Sequence, residues 1–277
     1  MPRAGTDARS RITPRRAVLL GLVVVYLGIL AIAPLGAIVK QFFASGPSRV
    51  VEELLASGAL PALGRTAVIT LIAIAVNCAF GVAAALVLTR QRFWGRRLLD
   101  GLIEMPLAVS PVMIGLAFIL IFGADGWARP LIEPLGIKVM FSFTGLVVGT
   151  VFVTMPFVVR EVSNVLQEIG TTEEDAAATL GASRWQTFRL VTLKNIRHGL
   201  SFGVTLTAAR ALGEFGAVLV LGGAISGQTD TATTFIYGAV EERRDGAAAG
   251  MSLILAIASA GVLVVLERLK RRVRKEA

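Results

Sequence analysis

The chain has 277 residues, of which 55% are hydrophobic and 17% charged, and its net charge is +9. A soluble domain has about 25% charged residues and few long apolar runs, so this composition predicts an all-α integral membrane protein. The basic residues flank the apolar runs, which excludes a nucleic-acid-binding surface as their explanation. One cysteine, Cys78, and one histidine, His198, exclude an intrachain disulfide and argue against a metal centre or a hydrolase triad.

Six apolar segments are long enough to cross about 30 Å of hydrocarbon at 1.5 Å per residue. A basic tail at residues 1–16 precedes them and a second basic tail at 268–277 follows them. A cleaved signal peptide is the alternative for the first segment, since Ala31-Ile32-Ala33 resembles a cleavage site, although the apolar run continues beyond it. The predicted spans are residues 17–39, 66–88, 102–122, 141–159, 199–223 and 247–266.

Polar residues and prolines within the spans predict how the helices pack. Asn77 is expected to face other helices, because an amide is costly in lipid. Pro106 and Pro111 interrupt the third span, so this span is expected to lie inside the bundle, where neighbours satisfy the freed carbonyls. Ser110 is either part of this kink or a substrate contact. Residues 123–140 and 224–246 are expected to be outer loops, and a short helix is expected around residues 50–55.

The distribution of basic residues predicts the orientation. Of the 28 Lys and Arg, 20 lie in the two tails, the second loop and the loop after the fourth span, and seven lie in the remaining connections. The positive-inside rule then places both termini in the cytoplasm. The four arginines between residues 90 and 97 are interpreted as topology anchors, and Trp94 and Trp127 as interfacial anchors.

The polar stretch at residues 171–197 is expected to form two short helices. Thr171 with Glu174 and Ser183 with Gln186 each have the spacing of a capping box. Gly181 between them is suited to the left-handed conformation that ends a helix. Hydrophobic side chains follow in the second helix and are expected to form an apolar ridge for docking: Trp185, Phe188, Leu190 and Leu193.

Arg210 and Glu214 form the clearest polar pair within a span. Their (i, i+4) spacing places them on one helix face, where the charges can pair. An unpaired charge in a bilayer is costly, so the pair is expected to face the bundle interior. It is either an element of an anion pathway or gate, or a structural pair that fixes the helix orientation.

The run Asp175-Ala176-Ala177-x-x-x-Gly181, with Val191 and Leu193 beyond it, resembles the EAA loop of permease subunits of ABC-type importers. Asp175 stands where that family has glutamate, and Lys194 where it usually has proline. The resemblance implies that residues 60–267 form a type-1 permease domain in a bacterial inner membrane. It also implies a cytoplasmic coupling helix that docks on a separate ATPase. The coupling residues would be Glu174, Asp175, Ala176, Ala177, Gly181, Trp185 and Leu193.

Further segments narrow the resemblance to permeases for tetrahedral oxyanions. Residues 210–218 (RALGEFGAV) are similar to the segment shared by sulfate and molybdate permeases. Residues 227–231 (GQTDT), 136–141, 154–161 and 181–188 are similar to the W-type permease subunit of sulfate/thiosulfate importers, while residues 232–234 depart from its usual leucine and proline. The resemblance implies a T-type sister permease, two ATPase subunits and an external sulfate-binding protein as partners, and membrane lipid as solvent. Arg210, Glu214 and Ser110 become candidates for the translocation path or gate.

No G-x-x-x-x-G-K-[ST] loop occurs in the sequence, so ATP is expected to bind the partner ATPase, and this chain is expected to be a non-catalytic subunit without a cofactor or metal. Two alternatives stay open. One is a molybdate or tungstate permease of the same kind. The other is a carrier driven by an ion gradient, for which Glu214 and Glu104 are the plausible coupling carboxylates.

Overall fold

The computed structural model describes residues 14–275, with side chains described for residues 19–30 and 32–268. Every regular element in this part of the chain is a helix, as the composition predicts. Most of the predicted tail at 1–16, and all the side chains from residue 269 on, lie outside the described residues. The helices are α1 (Pro14–Ala44), α2 (Pro47–Ala56), α3 (Ala59–Arg90), α4 (Arg96–Ala108), α5 (Pro111–Phe122), α6 (Arg129–Ile132), a 3-10 turn (Glu133–Leu135), α7 (Phe143–Ile169), α8 (Thr172–Thr179), α9 (Arg184–Thr187), a π turn (Phe188–Thr192), α10 (Leu193–Leu212), α11 (Gly216–Gly222), α12 (Ala232–Glu241) and α13 (Asp245–Lys275).

Four helices, α1, α3, α7 and α13, are each long and apolar enough to cross a membrane. Two further pairs qualify only if each bent pair counts as one span: α4 with α5, bent by 119°, and α9–α10 with α11, bent by 55°. The described residues therefore contain four to six candidate spans. The third and fifth predicted spans are not the continuous helices that their hydropathy indicates.

Helices α3, α7 and α10 form the centre of the bundle. Small residues bring α7 and α10 together: a Cβ placed on Gly203 would lie 2.9 Å from the Cα of Val158. Side chains of all three helices bury a common cluster of Ala85, Val158, Val162, Leu166 and Ile196. Such close packing suits helices in lipid, where van der Waals contact takes the place of the hydrophobic effect.

Asn77 faces the bundle interior, as predicted. Its side chain is fully buried, and its Nδ2 donates to Thr154 Oγ1 at 2.7 Å and to the carbonyl of Val151 at 3.2 Å. These bonds attach α3 to α7 with an amide that lipid could not solvate.

The third predicted span is divided into two helices at Pro111. Pro106 is buried within α4, whereas Pro111 begins α5, where a missing N–H costs no helical hydrogen bond. The expectation that this segment lies enclosed in the bundle is wrong for the chain alone. α5 buries Ile114 but leaves Met113 and Leu120 exposed along its opposite face.

Residues 224–246 are not simply a loop, because they contain α12. Thr231 and Thr234 cap this helix reciprocally, with Thr234 in the position that Glu or Gln usually takes. Ala232 and Phe235 of α12 pack with Ala62 of α3 and Met251 of α13. The short helix expected near residues 50–55 is confirmed as α2.

Candidate functional site

Residues 171–193, here called the 171–193 element, project from the end of the bundle where α3 and α7 finish. The predicted turn between its helices is confirmed. Gly181 has a φ of 83°, its N–H bonds the carbonyl of Ala178 at 3.0 Å, and the N–H of Ala182 bonds that of Ala177 at 3.1 Å. This pair of bonds is the Schellman arrangement, which leaves the last carbonyls of α8 satisfied.

The second predicted capping box is confirmed as well. The N–H of Ser183 donates to Gln186 Oε1 at 2.8 Å, and the N–H of Gln186 donates to Ser183 Oγ at 3.3 Å. A new helix therefore begins two residues after the glycine. It passes without interruption into the π turn and then into α10, so the element is continuous with a central helix of the bundle.

The first predicted capping box, Thr171 with Glu174, is wrong. Thr171 makes no cap bond to the backbone, and its hydroxyl donates to Asp175 Oδ2 at 2.9 Å. The Glu174 side chain points toward the bundle because it accepts hydrogen bonds there from Arg90 and from the Thr192 hydroxyl. Local spacing could not reveal these partners, since they lie 84 and 18 residues away.

Glu174 and Arg90 form a clamp that fixes the element to three helices. Arg90 Nε donates to Glu174 Oε2 at 2.9 Å, and Thr192 Oγ1 donates to Glu174 Oε1 at 2.8 Å. Arg90 also donates to the carbonyls of Leu166 at 3.1 Å and Gly170 at 2.6 Å, the last acceptors of α7. Both charged side chains are less than one-fifth exposed. The end of α3, the end of α7 and the π turn that leads into α10 therefore meet at the Arg90–Glu174 ion pair.

The outer face of the element is apolar and uncovered in the chain alone. Leu180 is 88% exposed and Trp185 67% exposed, and Leu190 is more than half exposed. Phe188 is only partly buried, and its ring centroid lies 5.6 Å from that of Trp185. Four large hydrophobic side chains at the tip of a clamped element make a surface suited to bind another protein.

The other predicted coupling residues lie on the same element. Asp175 and Ala176 are exposed on α8, Ala177 is partly buried, and Leu193 is partly exposed at the start of α10. A cleft of about 390 Å³ separates α8 and α9 from the end of α3, with Arg90, Glu174, Ala182, Arg184 and Phe188 among its lining residues.

The second candidate site lies where the two bent pairs meet, and we call it the break junction (residues 109–112 and 210–216). Gly216 at the start of α11 packs on the start of α5, so that a Cβ on it would lie 3.0 Å from Val112 Cγ2. Ser110, exposed, caps α5 only through its backbone carbonyl. The structure thus brings the two chain breaks of the third and fifth predicted spans together.

Arg210 and Glu214 pair as predicted, but across a break and not along one helix. α10 ends at Leu212, and Arg210 Nη1 lies 2.5 Å from Glu214 Oε2. Glu214 is only 1% exposed, whereas one-third of the Arg210 side chain is accessible. The other carboxylate oxygen of Glu214 accepts the N–H of Ala217 at 3.0 Å, and its backbone carbonyl accepts Thr233 Oγ1 at 2.6 Å. Glu214 therefore fixes the break, and Arg210 offers the accessible charge.

Sequence reasoning missed Arg65, which ties the loop at 225–231 to α3. Its Nε donates to the Asp230 carbonyl at 2.7 Å, its Nη1 donates to the Gly227 carbonyl at 3.1 Å, and its Nη2 pairs with the Asp230 carboxylate. The loop at 225–231 is thus docked, although residues 232–234 depart from the family pattern. Arg65 directly precedes the predicted span at 66–88, and the GQTDT loop follows 162 residues later, so the sequence gives no local signal of this pairing.

Two further observations bear on chemistry. Glu104 pairs with Arg160, with Glu104 Oε1 and Arg160 Nη2 3.5 Å apart and both side chains about half exposed. Within residues 14–275, no group of three or more His, Cys, Asp or Glu side chains is placed to hold a metal ion.

Comparison with known proteins identifies the family. Residues 77–275 match the family of binding-protein-dependent transport system inner membrane components. The chain is 39% identical to a sulfate transport system permease protein CysW of Synechococcus elongatus, over 94% of this chain and 91% of that protein. It is 33% identical to a sulfate transport system permease protein CysT of Escherichia coli, over 95% of each.

A chain of known structure has the same fold. It comes from a bacterial alginate ABC transporter in complex with an alginate-pentasaccharide-bound periplasmic protein. The TM-score is 0.77 at 16% identity, over 93% of both chains. Together with the apolar helices, these matches make the chain a multi-pass membrane protein, and it belongs to the family of binding-protein-dependent transport system inner membrane components.

Proposed function

We propose that the chain is the permease subunit of an ATP-driven importer for sulfate or thiosulfate, and that it contains no ATPase or other catalytic site of its own. Relatives that span nearly all of its length are named as sulfate transport permeases. The observation that carries the mechanism is the clamped 171–193 element. Its tip is apolar and exposed, and its other side is hydrogen-bonded to the bundle through Glu174 and Arg90.

The element is proposed to be the coupling helix of a six-span, type-1 permease domain at residues 60–267. Each bent pair counts as one span, and both termini and the 171–193 element lie in the cytoplasm, as the basic residues indicate. The ATP-binding partner would grip the exposed Leu180, Trp185 and Leu190. No phosphate-binding loop is present in this chain, so nucleotide and its hydrolysis belong to that partner.

The clamp explains how movement of the partner would reach the transport path. When two ATPases close, each coupling element moves, and the Glu174–Arg90 contacts carry the movement to α3, α7 and α10 together. Rigid helices pass displacement on without absorbing it, because the small-residue contacts between α7 and α10 leave no free volume. The bundle then changes between inward-open and outward-open states. ATP drives the change because it binds one state better than the other.

The break junction is the proposed place where the anion passes. Non-helical backbone at membrane depth is tolerated only where it is buried or lines a cavity. Arg210 supplies an accessible positive charge there, and the Glu214 carboxylate is occupied by the N–H of Ala217 and by Arg210 itself. A guanidinium suits a tetrahedral oxyanion because it donates parallel hydrogen bonds. Arg210→Gln should therefore lower sulfate uptake at least tenfold, with Arg210→Lys less affected.

A second permease subunit completes the proposed pathway. One face of α5, with Met113 and Leu120, is exposed in the chain alone, next to the break junction through which the anion is proposed to pass. A T-type sister subunit is proposed, since CysW and CysT proteins are both relatives. An external sulfate-binding protein would deliver the anion to the outer end, near the docked 225–231 loop.

A reconstituted transport assay tests the proposal. The chain, with its sister permease and ATPase in liposomes, should take up radiolabelled sulfate only with ATP and the binding protein. Excess thiosulfate should compete and molybdate should not. Uptake blocked only by molybdate would replace the substrate, and uptake driven by a proton or sodium gradient without ATPase would replace the class of transporter. Both carboxylates that a carrier would need, Glu104 and Glu214, are ion-paired here.

A further inference from the structure

The corner between α3 and α4 carries exposed arginines that pair with no carboxylate among the described residues. Arg92, Arg96 and Arg97 are all exposed. None of them forms an ion pair or a side-chain hydrogen bond within the described residues. Their neighbour Arg90 is different, since its guanidinium donates to the Glu174 carboxylate and to the carbonyls of Leu166 and Gly170.

The position of these arginines costs helical stability. Arg96 and Arg97 occupy the first turn of α4, which contains no acidic residue and has no side-chain cap. Positive charge near a helix N-terminus is unfavourable because the backbone dipole is positive there. Three cations that have no compensating contact among the described residues indicate an anionic partner outside them.

Aromatic and aliphatic side chains accompany the charges. Trp94 is 99% exposed, and the nearby Phe93 is partly exposed. On α4, Leu98, Leu102 and Met105 follow one another at i, i+4 and i+7 and are all exposed. This uncovered face runs away from the arginines, while Ile103 on the opposite face packs into the bundle with Leu88 and Val159.

The corner lies at the edge of the membrane, since it begins one residue after the apolar α3 ends. A helix that lies along this boundary has its apolar face in the acyl chains, its tryptophan at the headgroup level and its cations on the phosphates. At this corner the arginines and Trp94 come first along the chain, and the exposed apolar side chains of α4 follow them. A surface for a soluble protein would not need the exposed row of Leu98, Leu102 and Met105 beside it.

We infer that the α3–α4 corner, with Arg92, Arg96 and Arg97 around Trp94, binds the headgroup of an anionic phospholipid such as phosphatidylglycerol. The inference depends on the chain being a membrane protein and not on the anion it transports. The lipid would fix the start of α4 against the membrane. It would do so next to the clamp that holds the 171–193 element.

Quenching of Trp94 fluorescence by brominated lipid tests the inference on the full chain. In a Trp127→Phe, Trp185→Phe background, Trp94 is the only tryptophan left. Brominated phosphatidylglycerol diluted into phosphatidylcholine vesicles should quench it well beyond its mole fraction. Brominated phosphatidylcholine at the same fraction should not. Each arginine near an anionic headgroup contributes severalfold in affinity, so Arg92→Gln, Arg96→Gln and Arg97→Gln together should lower the preference by about tenfold or more.

Matched variants separate this site from general charge. Lys40→Gln, Arg49→Gln and Lys138→Gln remove the same charge from exposed positions elsewhere and should leave the preference intact. A triple Lys substitution at 92, 96 and 97 should retain most of it. Equal quenching by the two lipids in the unaltered chain would overturn the inference. So would a Gln triple that keeps the preference but loses the sister permease or ATPase on purification, because the corner would then be a protein interface.

Discussion

Removal of the Glu174 carboxylate should release the 171–193 element from the bundle without unfolding the bundle. Glu174 accepts three hydrogen bonds, two from Arg90 at 2.9 and 3.3 Å and one from Thr192 at 2.8 Å. Hydrogen bonds to charged groups contribute roughly 1.5–3 kcal/mol each, but partial exposure and shared partners reduce the sum. Arg90 also keeps its two backbone acceptors. A net loss of about 2 kcal/mol in Glu174→Ala corresponds to a roughly 30-fold larger open population.

Amide hydrogen exchange measures this opening directly. Exchange in α8 should accelerate by roughly 30-fold in Glu174→Ala, while the amides of α3 and α7 stay protected. ATP-dependent sulfate uptake should fall in parallel, with ATP hydrolysis by the complex retained, since the motor is intact but no longer attached.

Glu173→Ala is the matched control, one residue away on the same helical turn. Its exposed carboxylate makes one bond, from Asn195 Nδ2 at 2.6 Å, so exchange should change by no more than about twofold. If the two variants show the same exchange rates and the same uptake, the clamp does not hold the element, and the reasoning is refuted.

Three further substitutions have defined outcomes. In Gly181→Ala the new methyl group meets no atom within 4 Å, but alanine must adopt a φ of 83°, which costs about 1–2 kcal/mol. Uptake should therefore fall while membrane insertion stays normal. The control Gly136→Ala, at a φ of 66° outside the element, should leave uptake unchanged. Gly203→Val should destabilise the detergent-solubilised protein by about 1–3 kcal/mol, because the new side chain meets the backbone of α7, and Gly203→Ala should destabilise it by less. The melting temperature measures both effects, and equal melting temperatures would contradict this packing. Arg65→Gln leaves the buried carboxylate of Asp230 without its partner and should cost about 3 kcal/mol of stability. The loop at 225–231 should then be cleaved faster by a protease. Unchanged proteolysis would show that this loop docks by other contacts.

Local capping chemistry was readable from the sequence where the contacts are local. The Ser183–Gln186 box and the turn at Gly181 follow from residues at most five positions apart, and both are confirmed. The Thr171–Glu174 box has the same spacing and is wrong, because a guanidinium 84 residues away competes for the carboxylate. The spacing of a capping box does not show whether a distant side chain competes for its carboxylate.

Hydropathy identified the apolar segments but not their breaks. Pro111 and Gly213 were visible in the sequence, yet a proline or glycine within an apolar run is compatible with a kink as well as with a full turn. The 119° turn before Pro111 and the 55° bend after Gly213 depend on α5 and α11 packing on each other, which is a long-range contact. α12 was missed because its cap uses Thr234 in place of Glu or Gln.

The side of the membrane on which the 171–193 element lies tests the central claim most directly. In a Cys78→Ser background, Trp185→Cys places one thiol on the exposed tip of the element, and Lys138→Cys places one near the other end of the bundle. A membrane-impermeant maleimide should label position 138 in intact cells and position 185 only in inverted vesicles. Labelling of position 185 from outside the cell would contradict coupling to a cytosolic ATPase, whichever anion the protein carries.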